Sequence, residues 1–500
     1  MEAAVSASTF TVSDPADDGL GTLRQAIASA NSGDTVDFAP TLAGQVIGLT
    51  GGSIRVESDI VIDASSAPGI EVSGNDLDRV FVIASSVDVE IRGLTITHGF
   101  SSDFDGGGAI DNQGSLTLLD CSIKGSSALY GGAIDTDGSL SLVRCEILNN
   151  HSTDGGGAFY NLYGILTITD STIANNQSAF DGGAIVNEDG MLTVENSTIA
   201  DNRADGDGGG VISTGFSAAA TCTCIHSTIT GNVAGGLGGG IRIADGTCHL
   251  ENGIVADNQG SGDPDISKES ITSSPTLTAS GGNLIGDNTS ATTEFPGGAT
   301  VGTAALPLRS FLAPLAHYGS GQPTRPPLPG SPAISNALTT SNSPPADQHG
   351  VTRPVRALPD LGAVETFLWK DLPAIDNDSD GFDDRIEPFY NHVVGVNDSL
   401  ADSDGDGQLD VLEIDSMTNP LDADSLLAME SFELLDPTTR TFRIQFTSFP
   451  GLDYAAEADQ TLTFSGPDIT ILGSGSAVGF LSEISGVLRP ERDFVRLVRE

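Results

Sequence analysis

Basic residues are scarce in this chain. Lysine and arginine together number 21 against 68 aspartates and glutamates, a formal charge of −47. A nucleic-acid backbone is held by a basic surface, so the deficit excludes nucleic acid as a partner. It also disfavours polyanionic sugars unless metal ions screen them. Long apolar runs are missing too: nowhere do about 18 apolar residues follow one another, so no transmembrane segment is expected. The start, "MEAAVSASTF", has no charged segment leading into an apolar core. It therefore reads as a mature chain given a new Met1, not as a signal peptide. Aromatics are sparse, with one tryptophan and six tyrosines, which weighs against a deep sugar cleft built on aromatic platforms. An acidic, lysine-poor repeat chain points to a secreted, extracellular or cell-surface setting.

Glycine, by contrast, is abundant, and it recurs in phase. Glycine pairs begin at Gly107, Gly131, Gly156, Gly182, Gly209 and Gly239, at intervals of roughly 24 to 30 residues, the mark of a solenoid. Each unit repeats an apolar–polar–apolar triplet: Leu116 and Leu118, Leu140 and Leu142, Leu166 and Ile168, Leu192 and Val194, Cys222 and Cys224, Cys248 and Leu250. That alternation is a strand with one buried face. A further inward position follows at Ile123, Ile147, Ile173, Ile199, Ile229 and Val255, then an asparagine at Asn150, Asn176, Asn202, Asn232 and Asn258. In-register asparagines bond side chain to side chain as amide ladders. No single coil buries its apolar face, so stacking must supply the core. The expected fold is all-β: a right-handed parallel β-helix of three short strands per coil. Cys121 and Cys145, and likewise Cys222 and Cys248, fall at equivalent places in adjacent coils, within disulfide range. Each pair reads as a bridge or as stacked buried thiols, with Cys224 left over.

The organisation expected is an N-terminal cap (1–60, strand–helix–strand, Thr22 as N-cap), the β-helix (61–300), a proline-rich segment along the last coils (301–370), a calcium module (371–425) and a small β-sandwich (426–500). "ADDGLGTLRQAIASANSGDTV" resembles the CSLREA domain of bacterial surface proteins. "GGNLIGDNTS", "PLAHYGSGQPTRPPLPGSPAISNA" and "ADQHGVTRPVRALPDLGAVE" resemble the choice-of-anchor Q family. That resemblance implies a secreted or surface protein and no particular chemistry. The "GGAI" repeats look like those of polymorphic outer membrane proteins, with isoleucine in place of phenylalanine in "STIANN".

The strand after each glycine pair is where chemistry could sit. If Ile110, Ile134, Phe159 and Ile185 point inward, Asp111, Asp135 and Tyr160 point out, with Arg242 breaking the inward column. Two carboxylates one strand spacing apart, about 4.8 Å, suit acid/base work. The bland reading is solvated turn acids. Asp105, Asp154, Asp181 and Asp207 precede glycine runs and read as caps of their own turns.

The acidic segment is more specific. "DNDSDGFDDRIE" (376–387) and "DSDGDGQLDVLE" (402–413) each place aspartate at loop positions 1, 3, 5 and 9, glycine at 6 and glutamate at 12. That is the EF-hand loop pattern. It assigns calcium to Asp376, Asp378, Asp380, the Phe382 carbonyl, Asp384 and Glu387, and to Asp402, Asp404, Asp406, the Gln408 carbonyl, Asp410 and Glu413. The module resembles thrombospondin type-3 and dockerin-like calcium repeats, which implies structural calcium and admits a dockerin-type protein partner. Two functions remain in view: a β-helix that binds carbohydrate or a cell surface, and a polysaccharide lyase or glycoside hydrolase using Asp111, Asp135 and Tyr160.

Overall fold

The computed structural model describes residues 7–102, 104, 106–216, 220–268, 274–318, 321–354 and 358–366. In the acidic segment it describes 376–379, 383, 384, 386–390, 392, 397, 399–405, 408–416 and 419–421, and beyond them the backbone of six strands.

Strand Thr9–Val12, helix Leu23–Ser29 and strand Thr35–Phe38 open the chain. Thr22 caps the helix, its hydroxyl oxygen accepting from the Gln25 N–H at 3.4 Å. The two strands form the first rungs of the first sheet. Leu23, Ala26 and Ile27 are buried at that end of the core.

The chain then winds as a parallel β-helix. Sheet I has eleven strands, sheet II ten and sheet III nine, all joined to the next coil in parallel. Leu116 stands on Leu140, Leu166, Leu192 and Cys222, so the triplets stack in phase. Inward positions are sealed: Ile123, Ile147, Ile173, Ile199 and Ile229 are fully buried, each burial contributing about 2 kcal/mol. Three strands per coil proved too few. Between sheets II and III five coils add a short strand, from Ser127–Tyr130 to Val233–Ala234, forming sheet IV. The segment before each glycine pair is extended enough to pair with its neighbour.

Corners differ from expectation as well. Gly131, Gly156 and Gly182 supply one, with φ of 56°, 68° and 65°. A Cβ on Gly131 would lie 2.3 Å from the Ile134 carbonyl oxygen. Two other corners are left-handed mostly on residues other than glycine. Asp120, Arg144, Asp170, Asn196, His226 and Asn252 line the one after sheet I. Asn149, Asn175, Asp201, Gly231 and Asp257 line the one after sheet II. Asparagine and aspartate tolerate this backbone better than other side chains.

The asparagine ladder is continuous. Each Nδ2 donates to the next Oδ1, from Asn150 through Asn176, Asn202 and Asn232 to Asn258, at 2.9–3.0 Å. Where the asparagines end, Asn258 donates to Asp265 at 2.8 Å.

The described residues between 308 and 366 form a strap along the outer side of sheet II. Thr172 donates to the Pro323 carbonyl (2.7 Å), Thr198 to Gln348 (2.7 Å), and the Ala363 N–H to Thr228 (3.0 Å). Arg353, buried, ties the strap down through Glu365 at 2.6 Å and Asn196 at 3.0 Å. In the C-terminal region, Met429–Asp436, Thr441–Thr447 and Leu481–Val487 form one antiparallel sheet. Asp453–Asp459, Thr470–Ser476 and Phe494–Arg499 form another.

Candidate functional site

Sheet III brings the predicted acids together. Asp111, Asp135 and Tyr160 stand in one outward column, continued by Val186, Ile212 and Arg242. Arg242 does not break the inward column: Ile241 fills that place and is fully buried. The longer glycine run before it displaces the apparent phase by one residue, and a one-residue slip exchanges the faces of a strand.

These side chains are engaged. Asp111, 8% exposed, meets Arg79 at 3.4 Å and accepts from Gln113 at 3.0 Å. Burial raises its pKa and the Arg79 guanidinium opposes that rise. Asp135 accepts from the Gly106 N–H at 3.0 Å. Only glycine lets that backbone pass: a Cβ on Gly106 would sit 2.5 Å from an Arg79 nitrogen. Tyr160 donates its hydroxyl to Glu188; burial and that carboxylate hold its pKa well above the usual phenol value. Tyr130, on sheet IV, donates to Asp154 at 2.8 Å, and this bond is the main cause pushing its pKa up to about 12. The Tyr130 and Tyr160 rings lie 4.7 Å apart, tilted by 46°.

Arg79, Tyr130 and Glu188 escaped the sequence reading, because none repeats from coil to coil. Tyr130 alone left a trace, since it too precedes a glycine pair. Two of the glycine-preceding aspartates cap across coils instead of within their own turns, and Asp154 takes the Tyr130 hydroxyl. Asp181 accepts from the Asp207 N–H (2.7 Å) and Asp207 from the Leu237 N–H (2.8 Å). Asp105 lies outside the described residues.

In the acidic segment, Asp380, Phe382 and Asp406 lie outside the described residues. The rest form two loops with the same internal framework. The position-4 N–H reaches the position-1 carboxylate: Ser379 to Asp376 at 2.6 Å, Gly405 to Asp402 at 2.8 Å. The position-2 N–H reaches position 9: Asn377 to Asp384 at 2.9 Å, Ser403 to Asp410 at 2.8 Å. Carboxylate oxygens of Asp376, Asp378 and Asp384 lie within 4.8 Å of one another. Both Asp378 oxygens are buried with no hydrogen-bond partner among the described residues. Glu387 and Glu413 are fully buried. Asp404 and Gln408 sit in the second loop, where Asp410 also meets His392 at 2.7 Å. The segment packs on the strap: Tyr390, Ile386 and Ile414 share a small core with Ala313, Tyr318 and Leu328.

A family model described as the right-handed β-helix region matches residues 78–262, which fixes the hand of the winding. No curated protein matches the chain. Among solved structures the chain is similar to the crystal structure of pectate lyase Pel9A, at 16% identity and a TM-score of 0.39, over 73% of this chain and 98% of that one. No helix among the described residues is long and apolar enough to cross a membrane.

Proposed function

We propose that this chain is a secreted or cell-surface β-helix that binds carbohydrate or another cell-surface ligand, and that calcium stiffens its acidic module. One observation carries the binding reading: the paired Tyr130 and Tyr160 rings form a ledge on the solenoid, flanked by the carboxylates of Asp154 and Glu188. Aromatic faces with fixed acceptors beside them suit sugar rings, whose C–H faces stack and whose hydroxyls donate. The alternative, a lyase or glycoside hydrolase, needs an acid that can exchange a proton with substrate. Asp111 and Asp135 each have one oxygen, Oδ2, directed at Arg79 and Gln113 and at the Gly106 N–H respectively.

For calcium, Asp376, Asp378, Asp384 and Glu387 would hold one ion, and Asp402, Asp404 and Glu413 a second, with Asp410 behind them bonded to His392 and Ser403. The buried, unpartnered Asp378 carboxylate fits a hard cation, since a buried carboxylate is otherwise costly. Bound calcium would neutralise the module and fix it against the strap. The C-terminal strands complete the chain as a small β-sandwich.

A polysaccharide panel tests the reading, scored in parallel for binding, reducing ends and unsaturated uronate. Binding without cleavage, lost in Tyr130→Ala, is expected. Cleavage abolished by Asp135→Asn in a folded protein would establish the enzyme instead.

A further inference from the structure

The tyrosine ledge is ringed by acids. Tyr130 pairs with Gly155 in sheet IV, and Gly155 bridges to Asp181 one coil on. Tyr160 lies against Gly155, where a Cβ would stand 3.3 Å from the ring, so the glycine makes room for it. Asp154 and Glu188 hold the two hydroxyls. The charges of Asp135 and Glu188 both act on the two phenols. Burial raises the pKa of Asp181, and the carboxylates of Asp207 and Asp154 add to the rise. Four carboxylates thus gather about one pair of rings.

Two features of this arrangement point to a cationic ligand. Counter-ions are missing: among the described residues no lysine, arginine or histidine pairs with Asp154, Asp181 or Glu188. The guanidinium whose field reaches Asp181 is that of Arg242, and it is held by Asp207 at 3.4 Å and Ser267 at 2.8 Å. Each carboxylate also has an oxygen to spare. Asp154 and Glu188 give one oxygen to a tyrosine hydroxyl, and Asp181 gives one to the Asp207 N–H. The second oxygens, Asp154 Oδ1, Glu188 Oε1 and Asp181 Oδ2, accept nothing from the described residues and are open to solvent. Like charges held close together repel, and a cation set among them relieves the repulsion. Tyrosine faces attract ammonium groups as well.

We infer that the ledge takes a chain of amino sugars with free, protonated amines, its rings on Tyr130 and Tyr160 and its ammonium groups against Asp154, Glu188 and Asp181. The inference rests on the sugar-binding reading above and gives that reading a ligand class. A uronate chain would set like charge against like, which the site rejects. A basic peptide fits less well. Strand Phe159–Leu162, which carries Tyr160, is bonded to Ile134–Thr136 on one side and to Ile185–Glu188 on the other, so it offers a peptide backbone no free edge. Sugar rings need none, because they stack on the aromatic faces themselves. The overall charge of −47 is screened beyond about 8 Å at physiological ionic strength, so selection falls to the acids at the ledge.

Calorimetry on the full chain tests the inference, at about pH 5.5, where sugar amines carry a proton and ordinary carboxylates have lost theirs. The probes are a glucosamine hexamer, its N-acetylated counterpart, an oligogalacturonate of the same length and pentalysine. Saturable binding of the amino hexamer, at least tenfold tighter than of the acetylated one, is expected. Asp154→Asn combined with Glu188→Gln keeps an acceptor for each tyrosine hydroxyl and removes two charges, and should bring the two affinities together. Either substitution alone should narrow the ratio, so the test survives misfolding of the double variant. Asp14→Asn combined with Asp18→Asn, both exposed at the N-terminal cap, removes the same charge elsewhere and should leave the ratio as it was. Equal affinity for the two glucosamine hexamers, or tighter binding of oligogalacturonate, would overturn the inference and leave the sugar-binding reading standing. Pentalysine bound as tightly as the amino hexamer, an unchanged ratio in the ledge variants, or the same loss in both double variants would overturn it too. Binding of no sugar at all would overturn both.

Discussion

Removing one rung of the amide ladder should be among the most damaging single substitutions in the solenoid. Asn202 is fully buried. Its oxygen accepts from the Asn176 N–H at 2.9 Å and from Asn176 Nδ2 at 3.0 Å. Its own Nδ2 donates to the Ile173 carbonyl at 3.0 Å and to Asn232 at 2.9 Å. In Asn202→Ala the Asn176 N–H loses its acceptor in a dry interior, which costs about 1–3 kcal/mol. Asn176 Nδ2 keeps Ile147, and the Asn232 oxygen keeps the Asn202 N–H, so the other losses are ordinary bonds of about 1 kcal/mol each. With three such bonds lost beside the orphaned N–H, the sum is roughly 4–6 kcal/mol. Asn202→Asp sharpens the test. Ionised, it sets a charge against two acceptors; protonated, it can donate again. It should therefore be worse than alanine at pH 8 and better at pH 4. Solenoids need not unfold in one step, so denaturant midpoints should be read beside hydrogen exchange at the Asn176 amide. Gln177→Ala, exposed on the same coil, should change stability by no more than about 0.5 kcal/mol. A loss below about 1 kcal/mol for Asn202→Ala, or equal behaviour of the alanine and aspartate variants at both pH values, would refute the reasoning.

Asp265 ends the ladder, and burial pushes its pKa up to about 7 from an ordinary 3.8. The folded chain keeps this proton where the unfolded chain has released it. Its contribution to stability is therefore full below pH 4 and is lost as pH rises toward and through 7, by up to about 4 kcal/mol; a carboxyl NMR titration with its midpoint below 5 would contradict this. Calorimetry should find two calcium ions taken up, with Asp378→Asn weakening one at least tenfold and chelation leaving the β-helix circular dichroism unchanged. No uptake at millimolar calcium would remove the assignment. All five cysteines are buried thiols, and Cys222 faces Cys248 in register while its sulfur lies 3.9 Å from that of Cys224. Mild oxidation should join Cys222 to Cys248 and Cys121 to Cys145, each closure adding about 3.5 kcal/mol, and leave Cys224 free. A mapped Cys222–Cys224 bond would show the register argument to be wrong.

What the sequence determined by itself is whatever repeats. A coil must present the same face as its neighbours to share one core. Leu116 on Leu140, Ile147 on Ile173 and Asn176 on Asn202 are therefore written into the chain at a fixed period. The matching internal hydrogen bonds of the two acidic loops follow from the sequence as well, because their partners lie within nine successive residues. Tertiary structure decided what occurs once. Arg79 reaches Asp111, Arg325 reaches Asp201 and Arg353 reaches Asn196 across 32, 124 and 157 residues; no period links such partners. The strap's path over Thr172, Thr198 and Thr228 likewise determines which outward column is covered and which faces water. Periodicity fixes the inner face of a solenoid because every coil must agree on it. The outer face carries no such constraint, so only the folded arrangement of distant segments shows which of its side chains are occupied and which are left to bind.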